Sequence, residues 1–114
     1  MEKPKRYKIK LSLDAVQDIK LTKEYILKNF KYRVYAENFS KKIKNEIKKL
    51  NPFAEAYEKT GFIIEGFPVY FKPYDTYIIF FIVDDRLVIV IRVLKERMDW
   101  QTILNSMKEI NRQS

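Results

Sequence analysis

The chain is expected to fold as α+β. An N-terminal strand and a helical hairpin pack on a three- to four-stranded antiparallel sheet, and a short C-terminal helix closes the molecule. Three observations predict this. Tyr7-Lys8-Ile9-Lys10-Leu11 alternates strictly between apolar and charged residues, the period of a half-buried strand. Residues 13–50 carry apolar side chains at helical spacing. Residues 62–94 are dense in Ile, Val, Phe and Tyr and are punctuated by Gly, Pro and Asp, as strands and tight turns require.

Ser12 follows the first strand at a helix N-cap position, and Asp14 sits in the first turn, where the helix dipole favours an anion. The first helix is predicted from about Leu13 to Asn29, with Ala15, Ile19, Thr22, Ile26 and Phe30 as its inward stripe. A break at Asn29 to Tyr32 leads to a second helix from about Arg33 to Leu50, striped by Ala36, Phe39, Ile43, Ile47 and Leu50. Asn51-Pro52 ends it, because a residue before proline resists the helical region.

Pro52 to Gly61 reads as a connection. Candidate strands follow at Phe62 to Glu65, Phe67 to Lys72, Tyr77 to Val83 and Leu87 to Leu94. Gly66 and Pro68 mark the first of them as an edge strand or a bulge. Pro73-Tyr74-Asp75-Thr76 and Asp84-Asp85 read as turns. The near-continuous apolar run of the last two strands places them centrally, covered on both faces. Asp99 is a second N-cap, and Trp100, Ile103, Leu104 and Met107 stripe the last helix.

Composition narrows the function. The length, 114 residues, fits one domain over 1–114. With no cysteine and no histidine, the chain lacks a disulfide framework, a thiol nucleophile, the commonest metal ligand and the usual neutral-pH base. Adjacent carboxylates occur at Asp84-Asp85, where they form a turn, and two glycines cannot build a phosphate loop. No metal and no cofactor are expected. A formal charge of +8 draws the chain to nucleic acid, acidic lipid headgroups or an acidic protein. The start, Met1 to Arg6, is polar and unlike an export signal. Asp84-Asp85-Arg86 splits the most apolar stretch into halves shorter than the ~20 residues of a membrane span. A cytoplasmic location is expected.

Three stretches in order carry a family resemblance. They are Tyr7 to Ala15 with Asp18-Ile19 beyond it, an aliphatic second helix closing on Leu50-Asn51-Pro52, and the sheet sequence. The last comprises Val69-Tyr70-Phe71-Lys72, Tyr77 to Asp84, and Val90 to Trp100. The chain resembles the RelE/ParE superfamily of toxins from bacterial type II toxin–antitoxin modules. That resemblance implies a small basic cytoplasmic toxin restrained by an acidic antitoxin wrapped around it. It also implies one of two targets: mRNA cleaved at the ribosome, the leading expectation, or DNA gyrase poisoned by binding. The alternatives beside these two are a toxin-like protein that has lost activity and only binds its antitoxin, and a plain nucleic-acid-binding module. Lys95 stands where nucleases of the superfamily often have histidine, and no tyrosine follows Trp100.

RNA cleavage through the 2′-hydroxyl needs a base, stabilisation of charge on phosphorus and protonation of the leaving oxygen. Arg and Lys stabilise that charge. Lys72, Arg92 and Arg97 are the catalytic candidates, on or just after strands of one sheet, with Lys72 resembling the basic residue the superfamily often carries there. The competing reading of Arg92 is an ion pair with an acid such as Asp99 or Glu65. Tyr70, Tyr74 and Tyr77 are candidates for base stacking or for ordinary sheet packing. Lys48, Lys49 and Lys95 are candidate RNA contacts, the first two on a lysine-rich helix face that reads equally as solvated surface.

Overall fold

The computed structural model describes residues 6–30 and 32–112. Residues 1–5, on which the reading of the polar start rests, lie outside them. The elements are β1 (Lys8–Leu11), α1 (Leu13–Phe30), α2 (Arg33–Lys48), a 3-10 turn (Ala54–Ala56), β2 (Glu58–Ile64), β3 (Phe67–Tyr74), β4 (Tyr77–Asp84), β5 (Leu87–Lys95) and α3 (Trp100–Ser106).

The sheet has five strands in the order β1-β5-β4-β3-β2. Strands β2 to β5 form an antiparallel meander, and β1 joins it as a parallel neighbour of β5, Lys8 opposite Leu87 and Leu11 opposite Val90. The antiparallel part agrees with expectation; the N-terminal strand also enters the sheet rather than flanking it. Both predicted central strands are central. β4 is buried at consecutive positions Ile78 to Ile82, as a strand covered on both faces must be.

One face packs on the helical hairpin through Ile19, Ile43, Ile47, Ile79, Phe81 and Val90. The opposite face is closed by α3 and the chain after it, around Phe80, Ile82, Ile91, Leu104 and Ile110. The Ile110 N–H donates to the Glu65 carboxylate, and the Leu13 N–H donates to the Asn111 carbonyl at 2.9 Å. The C-terminal segment thus ties the β2–β3 hairpin to the start of α1.

Differences from the sequence reading are local. The connection ends earlier than expected, because β2 begins at Glu58. Its bulge falls at Gly61, not at Gly66 or Pro68: the register shifts between Lys59 and Ile63, and Gly61 has φ +92°. Thr60 repairs the ladder there, its hydroxyl donating to the Val69 carbonyl and accepting from the Phe62 N–H, both at 3.0 Å. Phe30, expected on the inward stripe of α1, is 55% exposed.

Caps behave as the residue types dictate. Ser12 Oγ accepts the Ala15 N–H at 3.1 Å and donates to the Ile91 carbonyl at 3.0 Å. One buried hydroxyl therefore starts α1 and anchors it to β5. Asp99 accepts from the Thr102 N–H and starts α3.

Candidate functional site

The three catalytic candidates lie in different surroundings. Lys72 points to the helical face, where its Nζ meets Glu46 Oε2 at 2.8 Å and donates to the Glu46 carbonyl at 2.9 Å. It locks the last turn of α2 onto β3, and the side chain is only 10% exposed. Bonds from Lys72 and then Lys49 hold the Glu46 carboxyl below its ordinary range.

Arg92 forms a two-pronged bond with Asp18 of α1: Nε to Oδ2 at 2.8 Å and Nη2 to Oδ1 at 2.7 Å. The ion-pair reading holds, but with Asp18 rather than Asp99 or Glu65. Asp18 Oδ2 also accepts the Val93 N–H at 2.9 Å. Burial pushes the Asp18 carboxyl up, against the opposing pull of Arg92 and of that N–H. Arg97 is exposed beyond the end of β5 and makes no ion pair among the described residues.

Ladder register places Lys72 opposite Ile79, and Ile79 opposite Val93. Lys72 and Arg92 are thus two strands apart, about 10 Å at the backbone, and their charged ends are held by different helices.

The tyrosines divide similarly. Tyr70 is buried and stacked on Phe81 at 5.4 Å between ring centroids. Tyr77 packs on Phe39 at 5.0 Å, and burial, then the charge of Asp75, raises its hydroxyl pKa. Tyr74 is partly buried against the helical-face core. Lys48 is exposed, and Lys49 is bound to Glu46 at 2.9 Å. Lys95 Nζ sits 4.0 Å from the Tyr25 ring centroid, a cation–π contact.

What sequence reasoning missed lies along α1, whose apolar residues exceed one stripe. Leu13, Val16, Leu21, Tyr25 and Leu27 are all more than 40% exposed. That surplus outside the inward stripe was the available signal. α1 is a ridge between two clefts. On one flank a groove of about 540 Å³ runs between α1, α2 and the end of β1, lined by Leu11, Val16, Ile19 and Leu27 and by the polar residues Lys20, Lys23, Glu24, Ser40 and Lys44, three cations against one carboxylate. On the other flank a cleft of about 390 Å³ lies between Leu21 and Tyr25 of α1 and Arg92 to Lys95 of β5.

Residues 9–100 match the family model described as the ParE toxin of the type II toxin–antitoxin system parDE. The chain belongs to the ParE toxin family. No curated protein matches the sequence significantly. The match runs from the second residue of β1 to the first residue of α3, so it takes in both flanks of α1 and all three catalytic candidates. Membership makes this a type II toxin and implies an antitoxin partner. Among the described residues no helix is long and apolar enough to cross a membrane.

Proposed function

We propose that this ParE-family toxin acts from the cytoplasm, as one domain over 1–114, by binding and poisoning DNA gyrase. The observation that carries the reading is the engagement of Lys72 by Glu46 and of Arg92 by Asp18. A phosphorane needs cations free to meet it, and freeing either one leaves a poorly exposed carboxylate behind. Histidine, the side chain that ordinarily titrates near neutrality, is absent.

The antitoxin is proposed to lay an acidic amphipathic segment into the groove between α1 and α2. Leu27 and Val16 would take its apolar face, and Lys20, Lys23 and Lys44 its carboxylates. A second reading, ribosome-dependent mRNA cleavage, is favoured by the exposed Arg97 near Lys95, which has no ion pair among the described residues, together with the +8 charge. Brief induction without antitoxin separates the two. Gyrase poisoning lowers thymidine incorporation first, induces the DNA-damage response and traps gyrase on cleaved DNA. Amino-acid incorporation falling first, with new mRNA 5′ ends on stalled ribosomes, overturns the gyrase reading.

A further inference from the structure

β5 is longer than its outer neighbour. β1 pairs as far as Val90 and the chain then turns into α1, while β5 continues to Lys95. Glu96 donates to the Thr76 carbonyl at 2.8 Å, next to the pairs Tyr77–Lys95 and Ile78–Leu94, so by alternation Leu94 and Arg92 direct their polar groups to β4 as well. By alternation, Val93 and Lys95 direct theirs to the opposite edge. There the Val93 N–H is taken by Asp18 and the Lys95 carbonyl accepts the Met98 N–H at 3.1 Å. The Val93 carbonyl and the Lys95 N–H remain directed into the cleft beside α1. They offer one acceptor and one donor on the same strand edge, spaced for an added strand.

Charge in the cleft has one sign left over. Asp18 is neutralised by Arg92, whereas Lys95 rests on the Tyr25 ring without a carboxylate among the described residues. Arg97 follows two residues later, exposed. The walls are apolar: Leu21 is 51% exposed, Tyr25 51% and Met98 43%.

We propose that this overhang of β5 is a docking site for an extended segment of a partner protein. The segment adds as a short strand at Val93 to Lys95 and sets an acidic side chain against Lys95 and Arg97. A peptide N–H can meet the Val93 carbonyl and a peptide carbonyl the Lys95 N–H, giving main-chain affinity with side-chain selection. A DNA backbone offers no donor to the Val93 carbonyl and an RNA backbone only its 2′-hydroxyl, whereas a peptide carries an N–H and a carbonyl at every residue, so a protein segment is the better fit. The site lies on the flank of α1 away from the α1–α2 groove. It does not depend on which macromolecule the toxin attacks.

The test titrates the isotope-labelled full chain with a capped six-residue peptide of alternating valine and glutamate. Controls are the valine–glutamine and valine–lysine versions, the glutamate peptide N-methylated at alternate residues, and a single-stranded RNA hexamer. Amide resonances of Val93, Leu94 and Lys95 should shift with the glutamate peptide, and exchange of the Lys95 N–H should slow. N-methylation should weaken binding about tenfold or more, the scale of losing hydrogen bonds in a sheltered site. Lys95→Glu should weaken the glutamate peptide and strengthen the lysine one, a reversal that a merely misfolded variant cannot give. Absence of shifts at 93–95, equal binding by the N-methylated peptide, or stronger binding of RNA than of the glutamate peptide at these amides overturns the proposal.

Discussion

Removing Arg92 tests its role directly. In Arg92→Ala, Asp18 loses the bonds of 2.7 and 2.8 Å from the guanidinium and keeps only the Val93 N–H at 2.9 Å. Its side chain is 8% exposed while Arg92 covers it, so water entering from the cleft replaces the lost donors only in part. Breaking a buried pair costs about 3–5 kcal/mol. Two facts lower that range. Arg92 itself is 22% exposed, so part of its attraction is already screened. The orphaned carboxyl can also take up a proton, which caps the penalty at pH 7 at about 4 kcal/mol, the cost of protonating a group of ordinary pKa near 3.9. A loss of about 2–4 kcal/mol is expected, roughly 8–17 °C in Tm for 114 residues.

The pH dependence is the sharper signature. Without Arg92 the folded-state pKa of Asp18 rises further above its unfolded value, so the folded variant binds a proton the unfolded chain does not. The variant's deficit should therefore be largest near neutrality and shrink as pH falls toward 5. Urea denaturation of wild type and variant across pH 5 to 8 measures it. A loss under about 0.5 kcal/mol, the scale of a neutral surface substitution, or a deficit that does not vary with pH would refute the role of Arg92 as the clasp between α1 and β5.

Four further outcomes are expected. Lys72→Met should lose about 1–3 kcal/mol, less than a fully buried pair because Glu46 keeps Lys49. In wild type the lowered Glu46 pKa adds stability that is present above its unfolded value and lost as pH falls through the folded one; the variant's acid-unfolding curve should be flatter in that range. Burial, reinforced by the bond to Glu55, pushes the Tyr7 hydroxyl up to about 12. Its contribution should persist below its unfolded pKa of about 10 and fade as pH rises toward 12, and Tyr7→Phe should remove that part of the alkaline transition seen by circular dichroism. Ser12→Ala removes a cap and a buried bond together and should cost about 2–3 kcal/mol in urea melts. Arg97→Ala should leave stability unchanged within about 0.5 kcal/mol, so any loss of growth inhibition in a plate assay assigns Arg97 to target contact; unchanged inhibition removes it from that role.

Periodicity and turn chemistry in the sequence were enough to determine the element order, the α+β class, both central strands and the caps at Ser12 and Asp99. These depend on neighbours a few residues apart, so the chain states them directly. The sheet's parallel fifth strand was not legible, because pairing of Lys8 with Leu87 joins residues far apart and alternation marks a strand without naming its neighbour. Nor was the bulge at Gly61, where one glycine and a threonine hydroxyl reset the register. For the candidate site the sequence supplied a set of cations, and only the tertiary structure sorted them. Lys72, Arg92 and Arg97 are chemically near-equivalent along the chain. Folding brings Glu46 to the first and Asp18 to the second, 26 and 74 residues away, and leaves the third exposed. Which charge is spent on holding the fold and which is left to meet a partner depends on where distant carboxylates arrive, and that is decided by packing.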